Sequence, residues 1–540
     1  MDRNSGWSRT RPVIAGLHGA VASAHPLASQ AGLDQLRSGG NAVDAVVAMA
    51  AALGVVEPYM SGPAGVGLML LHLADGETHV LNFTGSTPAA GTPDQFTPAS
   101  QDLGPRACMI PGNVAGWFEA LRRFGSRTAG DVLSAAHLHA AEGFPLHPAN
   151  VHFIGVGRSR LNPAGSRIFE QVPLACGAVL RQSDLGRSLG RLIEHGPDDF
   201  YTGQISRAMA DDVQRHDGLL TREDLAGYQP RWEQPLEIEW RGVRIRTCPP
   251  NCEGFQILQT LRLLEEYDLA ALGHNSADYL HLLTEAVKLA AADRIAYCGD
   301  PDFVTVPVDR LLSDEYLAGR RQLINHETAS VSEGERWRGP REAAAVSPGR
   351  FPGLTTHLSA VDRQGNVASI TQSLGNGFGS GFYVAETGIV LNNFAWWTEI
   401  DPVCDTPNLI APGKRWSCCM SPVQVFHPDG RFWFSMATPG SEGILHTTVQ
   451  MLLNVLVFGA DVQAALEAPR VRVWEGTRLQ IEERVPAPVR EELTRRGHQL
   501  ELVGDWSPFV GGGQAVMIDA DSGSRLAGAD PRRDGYALAW

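Results

Sequence analysis

The pattern of apolar and polar positions predicts a helix-rich first part and a strand-rich second part. Residues 42–56 are almost all apolar and follow Asn41, a residue that caps helices, which predicts a fully buried helix. Further helices are predicted at 115–124, 255–267, 277–297, 444–456 and 487–496. Strands are predicted at 68–73, 78–83, 236–245, 356–361, 367–373, 389–391, 423–426, 432–437, 499–503 and 515–519. Strands stacked between helices in both parts predict two sheets packed face to face and covered by helices on both sides.

The helix at 277–297 carries charged residues in two places. Glu285 and Lys288 form one group, and Asp293 and Arg294 form another. Charged side chains are rarely fully buried, so we expect all four on solvated faces of the helix.

A β-hairpin is predicted where the strand-rich part begins. The polar connection Arg363-Gln364-Gly365-Asn366 joins the strands 356–361 and 367–373. If Arg363 faces Asn366, then Thr356 faces Ser373 and Thr355 faces Leu374, to within one residue. The segment 331–354 before the hairpin is rich in Gly and Pro, which predicts a flexible lead.

This arrangement suits a chain that cuts itself before Thr355. Cleavage there would place a hydroxyl and a free α-amine on one residue. An α-amine has an unperturbed pKa of about 7.7–8.0, so it can act as a general base near neutral pH.

Several motifs resemble one known family over nearly the whole chain. They include Val56-Glu57-Pro58, Thr355-Thr356-His357-Leu358-Ser359, Leu391-Asn392-Asn393, Met420-Ser421-Pro422, Thr438-Pro439-Gly440 and Asp530-Pro531-Arg532. They are similar to the motifs of γ-glutamyltransferases. The resemblance implies the α+β class, with the four-layer αββα sandwich of N-terminal-nucleophile hydrolases. It also implies a cut between Leu354 and Thr355, which gives a large subunit (1–354) and a small catalytic subunit (355–540) that share one fold.

The resemblance assigns the catalytic residues. Thr355 is the nucleophile, and Thr356 is the competing assignment. Ser373 matches a family threonine whose hydroxyl supports the nucleophile. Backbone N–H groups at Gly440 and Ser441, before the helix at 444–456, form the oxyanion hole, where the family has Gly-Gly.

The positions that match the family's glutamate-binding residues have changed. Thr84 replaces an arginine, Gly375 an asparagine, Phe394 a glutamine, Trp397 a carboxylate, and Cys418-Cys419 a pair of serines. Losing two charged contacts, each worth roughly 1.5–3 kcal/mol, should weaken glutamyl recognition by on the order of 10²–10⁴-fold. The aromatic replacements indicate a more apolar acyl pocket, with packing in the core as the alternative.

Three hypotheses follow. The first is a self-processing hydrolase that cleaves an amide bond of a small non-glutamyl substrate through a Thr355 acyl-enzyme, with C–C bond hydrolysis in a biosynthetic pathway as a variant. The second is a γ-glutamyl hydrolase or transferase whose clamp is rebuilt, with Arg106 or Arg415 as the cation. The third is a non-catalytic scaffold, which the retention of Thr355, Ser373 and Gly440 disfavours.

Composition limits the partners. The net charge is −15 and no Lys/Arg run forms a basic patch, which argues against nucleic acid. The longest apolar run, 45–56, is too short to span a bilayer, and the N-terminus has no apolar signal region, so we expect a cytoplasmic protein.

No nucleotide-binding glycine motif appears, and we expect no cofactor. The eight cysteines suit reduced thiols, and Cys248 and Cys252 lack a second ligand pair, so no metal is predicted. The expected partners are a small-molecule substrate and the two fragments themselves.

Overall fold

The computed structural model describes residues 7, 9–331, 354–473 and 476–540. Most of the predicted flexible lead, residues 332–353, therefore lies outside the described residues.

The strands, in chain order, are β1 (Ile14–Gly16), β2 (Ala20–Ser23), β3 (Val66–His72), β4 (Thr78–Phe83), β5 (Phe144–Pro145), β6 (Val179–Leu180), β7 (Arg231–Glu233), β8 (Leu236–Trp240), β9 (Val243–Thr247), β10 (Leu354–Val361), β11 (Val367–Gly375), β12 (Tyr383–Val384), β13 (Ile389–Val390), β14 (Val423–Phe426), β15 (Phe432–Ala437), β16 (Val471–Val473), β17 (Arg478–Ile481), β18 (Gln499–Leu502), β19 (Gln514–Ile518), β20 (Arg525–Ala529) and β21 (Tyr536–Ala539).

The helices are α1 (Pro26–Arg37), α2 (Ala42–Val56), α3 (Pro98–Asp102), α4 (Asn113–Phe124), α5 (Ala129–Glu142), α6 (Pro148–Gly157), α7 (Pro163–Glu170), α8 (Ser183–His195), α9 (Asp198–Tyr201), α10 (Gln204–Arg215), α11 (Arg222–Ala226), α12 (Phe255–Leu264), α13 (Leu269–Leu272), α14 (Ala277–Tyr297), α15 (Val308–Leu311), α16 (Asp314–Arg321), α17 (Gly443–Leu456), α18 (Val462–Glu467) and α19 (Ala487–Arg495).

Two seven-stranded antiparallel sheets form the centre of the molecule. The first has the strand order β1-β20-β19-β15-β14-β9-β8, and the second has the order β21-β2-β10-β11-β3-β4-β7. Strand β3 shows why they stack: Leu68 and Leu70 point into the core between the sheets, while Met69 and Leu71 pack against the helices that include α2. Helices α12, α14 and α17 belong to the core on the other side. The predicted four-layer αββα sandwich is therefore confirmed.

Both sheets combine strands from the two sides of the Leu354–Thr355 bond. Strand β10 lies between β2, from the start of the chain, and β11, its hairpin partner. The strand that carries the predicted nucleophile as its second residue thus pairs with β11 along its length and with β2 at residues 359–361, which fixes its position in the fold.

The local predictions match the structure closely, with one exception among the elements. Helix α2 begins with a capping box between Asn41 and Asp44, as the sequence indicated. The hairpin pairs Thr355 with Ser373, within one residue of the predicted register, because the turn places Asp362 and not Arg363 opposite Asn366. The single strand predicted at 236–245 is wrong: it divides into β8 and β9 at Arg241-Gly242, which both have positive φ angles.

The predicted exposure of the charged residues on α14 is also wrong. Glu285, Lys288, Asp293 and Arg294 are all buried. Lys288 Nζ lies 2.8 Å from Glu285 Oε1, and an Arg294 nitrogen lies 2.9 Å from Glu253 Oε1. The helix is enclosed by α12, α19 and β16, so its charges are paired inside the fold and not solvated.

No helix of the described residues is long and apolar enough to cross a membrane.

Candidate active site

The bond predicted to be cut lies at the start of β10, next to Ser373. Ser373 Oγ donates a hydrogen bond to the carbonyl oxygen of Leu354 at 2.7 Å. The backbone N–H of Gly375 donates to Ser373 Oγ at 2.8 Å and so orients the hydroxyl. A donor aimed at this carbonyl polarises the bond between Leu354 and Thr355 and can stabilise negative charge on the oxygen.

Thr356 lies on the opposite face of the same strand, because successive residues of a strand alternate. Its hydroxyl is buried and donates to Glu57 Oε2 at 2.9 Å. Burial raises the pKa of Glu57 to about 7, opposed by this hydrogen bond and by the charge of Arg533. The register places Thr355, and not Thr356, opposite Ser373. This arrangement favours Thr355 over Thr356 as the nucleophile.

Arg533 connects the nucleophile strand to the predicted oxyanion loop. It is buried, and its guanidinium donates to the carbonyl oxygen of Thr355 at 3.0 Å. Its side chain packs on Gly512, where a Cβ would lie 2.7 Å from Arg533 Cδ. The N–H of Gly512 in turn donates to Thr438 Oγ1 at 2.9 Å. Sequence reasoning missed Arg533, although it directly follows the motif Asp530-Pro531-Arg532.

The loop from Thr438 to Gly443 has the backbone of a tight turn into a helix. Gly440 has φ +135° and Ser441 has φ +54°, and α17 begins at Gly443. The left-handed φ at Ser441 is unusual for a residue with a Cβ, and such conformations persist where the surrounding structure holds them. The loop ends at the N-terminus of α17, where backbone N–H groups lack intrahelical acceptors, and an oxyanion hole needs such donors.

A buried charged cluster surrounds this loop, and the sequence did not predict it. Glu442 is buried, which raises its pKa, while the nearby Arg294 opposes that shift. Arg294 pairs with Glu253, and Ser417 Oγ donates to Glu253 Oε1 at 2.9 Å. The cluster therefore links α14, the start of α12 and the cysteine pair to the oxyanion loop.

The two predicted cysteines differ in surroundings. Cys418 is fully buried, its backbone forms an isolated β-bridge with that of Cys252 while both thiols are free, and its N–H donates to the carbonyl oxygen of Asn251 at 2.8 Å. Cys419 is buried beside the charges of Glu442 and Glu253. Burial raises the pKa of both thiols well above the ordinary value, so both stay protonated at neutral pH.

An aromatic cluster occupies the region of Phe394 and Trp397. Phe394 stacks on Trp416 with ring centroids 4.3 Å apart, and Trp397 lies 5.3 Å from Phe394. The indole edge of Trp397 reaches the end of β11. A Cβ on Gly375, which has φ +106°, would lie 3.0 Å from Trp397 Cζ3 and 2.0 Å from Asn393 Oδ1. Glycine at 375 and tryptophan at 397 therefore fit each other.

Thr84 is held in a buried polar network. Its hydroxyl donates to Asn82 Oδ1 at 2.8 Å and accepts from Asn251 Nδ2 at 3.1 Å. Its carbonyl oxygen accepts from Trp416 Nε1 at 2.9 Å. Thr84 also lines a cavity of about 580 Å³ together with Tyr228, Arg231 and Arg415. These contacts bring Thr84 next to the aromatic cluster.

Comparison with known proteins identifies the family. The family model described as Gamma-glutamyltranspeptidase matches residues 28–540. The chain belongs to the gamma-glutamyltranspeptidase family. One relative is the Acylase ACY 1 proenzyme of Pseudomonas sp. (strain SE83), 36% identical over 97% of this chain and 94% of the relative. Another is the Glutathione hydrolase proenzyme of Bacillus subtilis (strain 168), 32% identical over 98% and 93%.

A solved structure is similar over the full length. Cephalosporin acylase from Bacillus halodurans superposes with a TM-score of 0.89 at 30% identity, covering 100% of this chain and 99% of the other. The family resemblance seen in the motifs and the sandwich fold are thus both confirmed.

In this member of the gamma-glutamyltranspeptidase family, the two arginines considered for a rebuilt clamp are both engaged in ion pairs. Arg415 binds Asp300 at 2.6 Å and Glu233 at 3.1 Å. Arg106 binds Asp217 at 2.6 Å on the partly exposed surface. Neither side chain is available to bind the carboxylate of a glutamyl group without breaking these pairs.

One group among the described residues could coordinate a metal ion. His281, Glu285 and His498 have ligand atoms within 4.8 Å of one another, and all three are buried. In the described part of the chain, the cysteines form no comparable group. Sequence reasoning missed this cluster because His498 is more than 200 residues from His281 and Glu285.

Proposed function

We propose that this protein is a self-processing amide hydrolase that acts on a small non-glutamyl acyl compound through Thr355. The observation that carries the proposal is the hydrogen bond from Ser373 to the carbonyl oxygen of Leu354. The relatives named as proenzymes support the self-processing step. Those named as acylases support the cleavage of an amide.

Self-processing proceeds by an N-to-O acyl shift. Thr355 Oγ attacks the carbonyl carbon of Leu354, and the negative charge that develops on the oxygen is stabilised by Ser373. The C–N bond breaks, the Oγ proton passes to the amide nitrogen, and an ester joins Leu354 to Thr355. Water hydrolyses this ester, which leaves the Leu354 carboxylate and a free α-amine and hydroxyl on Thr355.

The same residue then cleaves the substrate. The Thr355 amine takes the Oγ proton as Oγ attacks the substrate carbonyl, and the N–H groups of the 440–441 loop stabilise the oxyanion. The leaving amine takes the proton, and an acyl-enzyme forms. Water attacks this ester, again with the amine as base, and the acid is released.

The acyl group is expected to be apolar near the aromatic cluster. Thr84 and Trp397 stand where the family binds the two charged ends of glutamate, and neither carries a charge. Leaving a charged end unpaired in a buried pocket is costly, so a glutamyl group is disfavoured.

Processing is tested by electrophoresis of the purified chain under denaturing conditions. We expect fragments 1–354 and 355–540, the smaller one beginning Thr-Thr-His, and a single band for Thr355→Ala. Ser373→Ala should slow cleavage by on the order of 10²–10³-fold, as removal of one oxyanion donor does, while Ser373→Thr should retain it. An uncut wild type with full activity would contradict the role of Thr355.

The substrate class is tested by comparing kcat/KM for γ-glutamyl anilide, for a short amide such as oxamate and for a panel of acyl amides. We expect the panel to contain a substrate at least tenfold better than γ-glutamyl anilide. If γ-glutamyl anilide reaches about 10⁴ M⁻¹s⁻¹ or more and the other amides are ignored, the clamp has been rebuilt and the non-glutamyl proposal is wrong.

A further inference from the structure

The cluster of His281, Glu285 and His498 joins two separate parts of the chain. His281 and Glu285 are four residues apart on α14 and so share a face of the helix, and His498 directly precedes β18. His281 Nδ1 and His498 Nε2 are 2.9 Å apart. All three side chains are buried, so their polar atoms require partners.

The hydrogen bonds around the cluster orient the histidine nitrogens. His281 Nε2 lies 2.7 Å from the carbonyl oxygen of Asn325, which can only accept, so the proton is on Nε2 and the lone pair of Nδ1 faces the cluster. Histidine ligands of metals are commonly held in this way, by a backbone carbonyl on the second nitrogen. His498 Nδ1 is buried and has no hydrogen-bond partner among the described residues.

Glu285 retains acceptor capacity in spite of its partners. Lys288 Nζ binds Oε1 at 2.8 Å, while the N–H and the hydroxyl of Ser330 bind Oε2. A carboxylate has about four lone-pair positions, and these contacts use three, which leaves one on Oε1. Lys288 also donates to the carbonyl oxygen of Ser330 at 3.0 Å, so it keeps a partner if it leaves Glu285.

We propose that His281, Glu285 and His498 form a binding site for one zinc-type divalent ion, with water as the fourth ligand. Two imidazoles and a carboxylate are a donor set that Zn²⁺ prefers, and four-coordinate geometry needs no further protein ligand. Metal entry replaces the His281–His498 hydrogen bond. The proton on His498 Nε2 leaves and one is taken up at Nδ1, so the proton count is unchanged.

The site would fasten the segment that leads to the cleavage region. Asn325 and Ser330 contact the ligands His281 and Glu285 directly. A bound ion would therefore hold residues 325–330 against α14 and against the turn before β18. This role is structural and does not depend on the proposed reaction at Thr355.

The experiment uses the full-length purified protein after removal of metals with a chelator. Titration with Co²⁺ should give the intense visible absorption of a tetrahedral site at one equivalent, and Zn²⁺ should abolish it and raise Tm. His498→Gln should weaken Co²⁺ binding at least about 100-fold, since even loss of an outer partner costs about 10–100-fold. His326→Ala, an exposed histidine in the same segment, is the matched control and should bind like wild type.

Absence of a tetrahedral spectrum, or an unchanged spectrum in His498→Gln, would overturn the proposal.

Lys288→Met provides a second readout, because it removes the ammonium that competes for Glu285. We expect tighter Co²⁺ binding in this variant. If the cluster is only an ion-pair network, Lys288→Met will lower Tm and Co²⁺ will not restore it.

Discussion

Glu57 is a buried carboxyl next to β10, the strand that carries the proposed nucleophile. It accepts a hydrogen bond from the hydroxyl of Thr356. It also interacts electrostatically with Arg533, whose guanidinium donates to the carbonyl oxygen of Thr355. Its pKa of about 7 is above the ordinary 4.5, so the folded protein binds a proton here more tightly than the unfolded chain. Stability from this group is therefore fully present below about pH 4.5 and is lost as pH rises through 7.

Glu57→Gln should remove this pH dependence. Glutamine keeps an acceptor for Thr356 but cannot ionise, so its stability relative to wild type should rise between about pH 4.5 and 7, by on the order of 3 kcal/mol in total. The measurement is the denaturation midpoint of both proteins at several pH values. A constant difference between the two proteins across this range would contradict the assignment.

Thr84 and Trp397 stand at the two positions that define the lost glutamate clamp. The double change Thr84→Arg with Trp397→Asp should lower the activation free energy given by kcat/KM for γ-glutamyl anilide by more than the sum of the two single changes. The reason is that a glutamyl group needs partners for both of its charged ends at the same time. Trp397→Asp also frees the space beside Gly375. Complete processing into two fragments serves as the control for folding. Additive effects, or no gain in the double variant, would place the acyl pocket elsewhere.

At the level of elements, the buried pair of Arg294 and Glu253 joins α14 to the segment before α12. Arg294 also faces Glu442 at the oxyanion loop. Helix α14 thus contacts the candidate site through Arg294, a residue that the sequence pattern predicted on a solvated face. Removing one partner of a buried pair leaves the other charge uncompensated.

Arg294→Met should lower the free energy of unfolding by about 3–5 kcal/mol, because Glu253 then stays buried without its cation. Adding Glu253→Gln should recover part of this loss. Arg122→Met, which breaks an exposed pair with Glu119, is the matched control and should cost about 1 kcal/mol or less. Equal effects of Arg294→Met and Arg122→Met on the denaturation midpoint would show that the Arg294 pair is not energetically buried.

For the whole molecule, the decisive feature is that both sheets mix strands from the two sides of Thr355. Strand β10 pairs with β2 and β11, and β19 lies between β15 and β20 in the sheet that ends with β8 and β9. Cutting the bond before Thr355 detaches only Leu354 from β10 and leaves the pairing of residues 355–361 with β2 and β11 in place.

The two fragments should therefore remain one particle after cleavage. We expect them to co-elute in size-exclusion chromatography and to unfold in a single transition, separating only in denaturant. Separation under native conditions, or two independent transitions, would contradict a shared core.

The sequence by itself determined the elements whose signals are local. The capping box of α2, the strands β4, β14 and β15, and the hairpin of β10 and β11 follow from periodicity and turn residues over a few positions. The motifs around Thr355 and Gly440 also sufficed to identify the family. Such features depend on neighbours along the chain, which the sequence displays directly.

Only the tertiary structure decided which distant side chains meet. The hydrogen bond of Arg533 to the carbonyl oxygen of Thr355 and the fit of Gly375 to Trp397 depend on segments that approach each other only in the folded chain. The burial of Lys288 and Arg294 followed from neighbours that enclose α14, and from carboxylates that compensate their charge. A local pattern cannot reveal these contacts, because the free energy of a buried charge is set by partners that only the fold brings close.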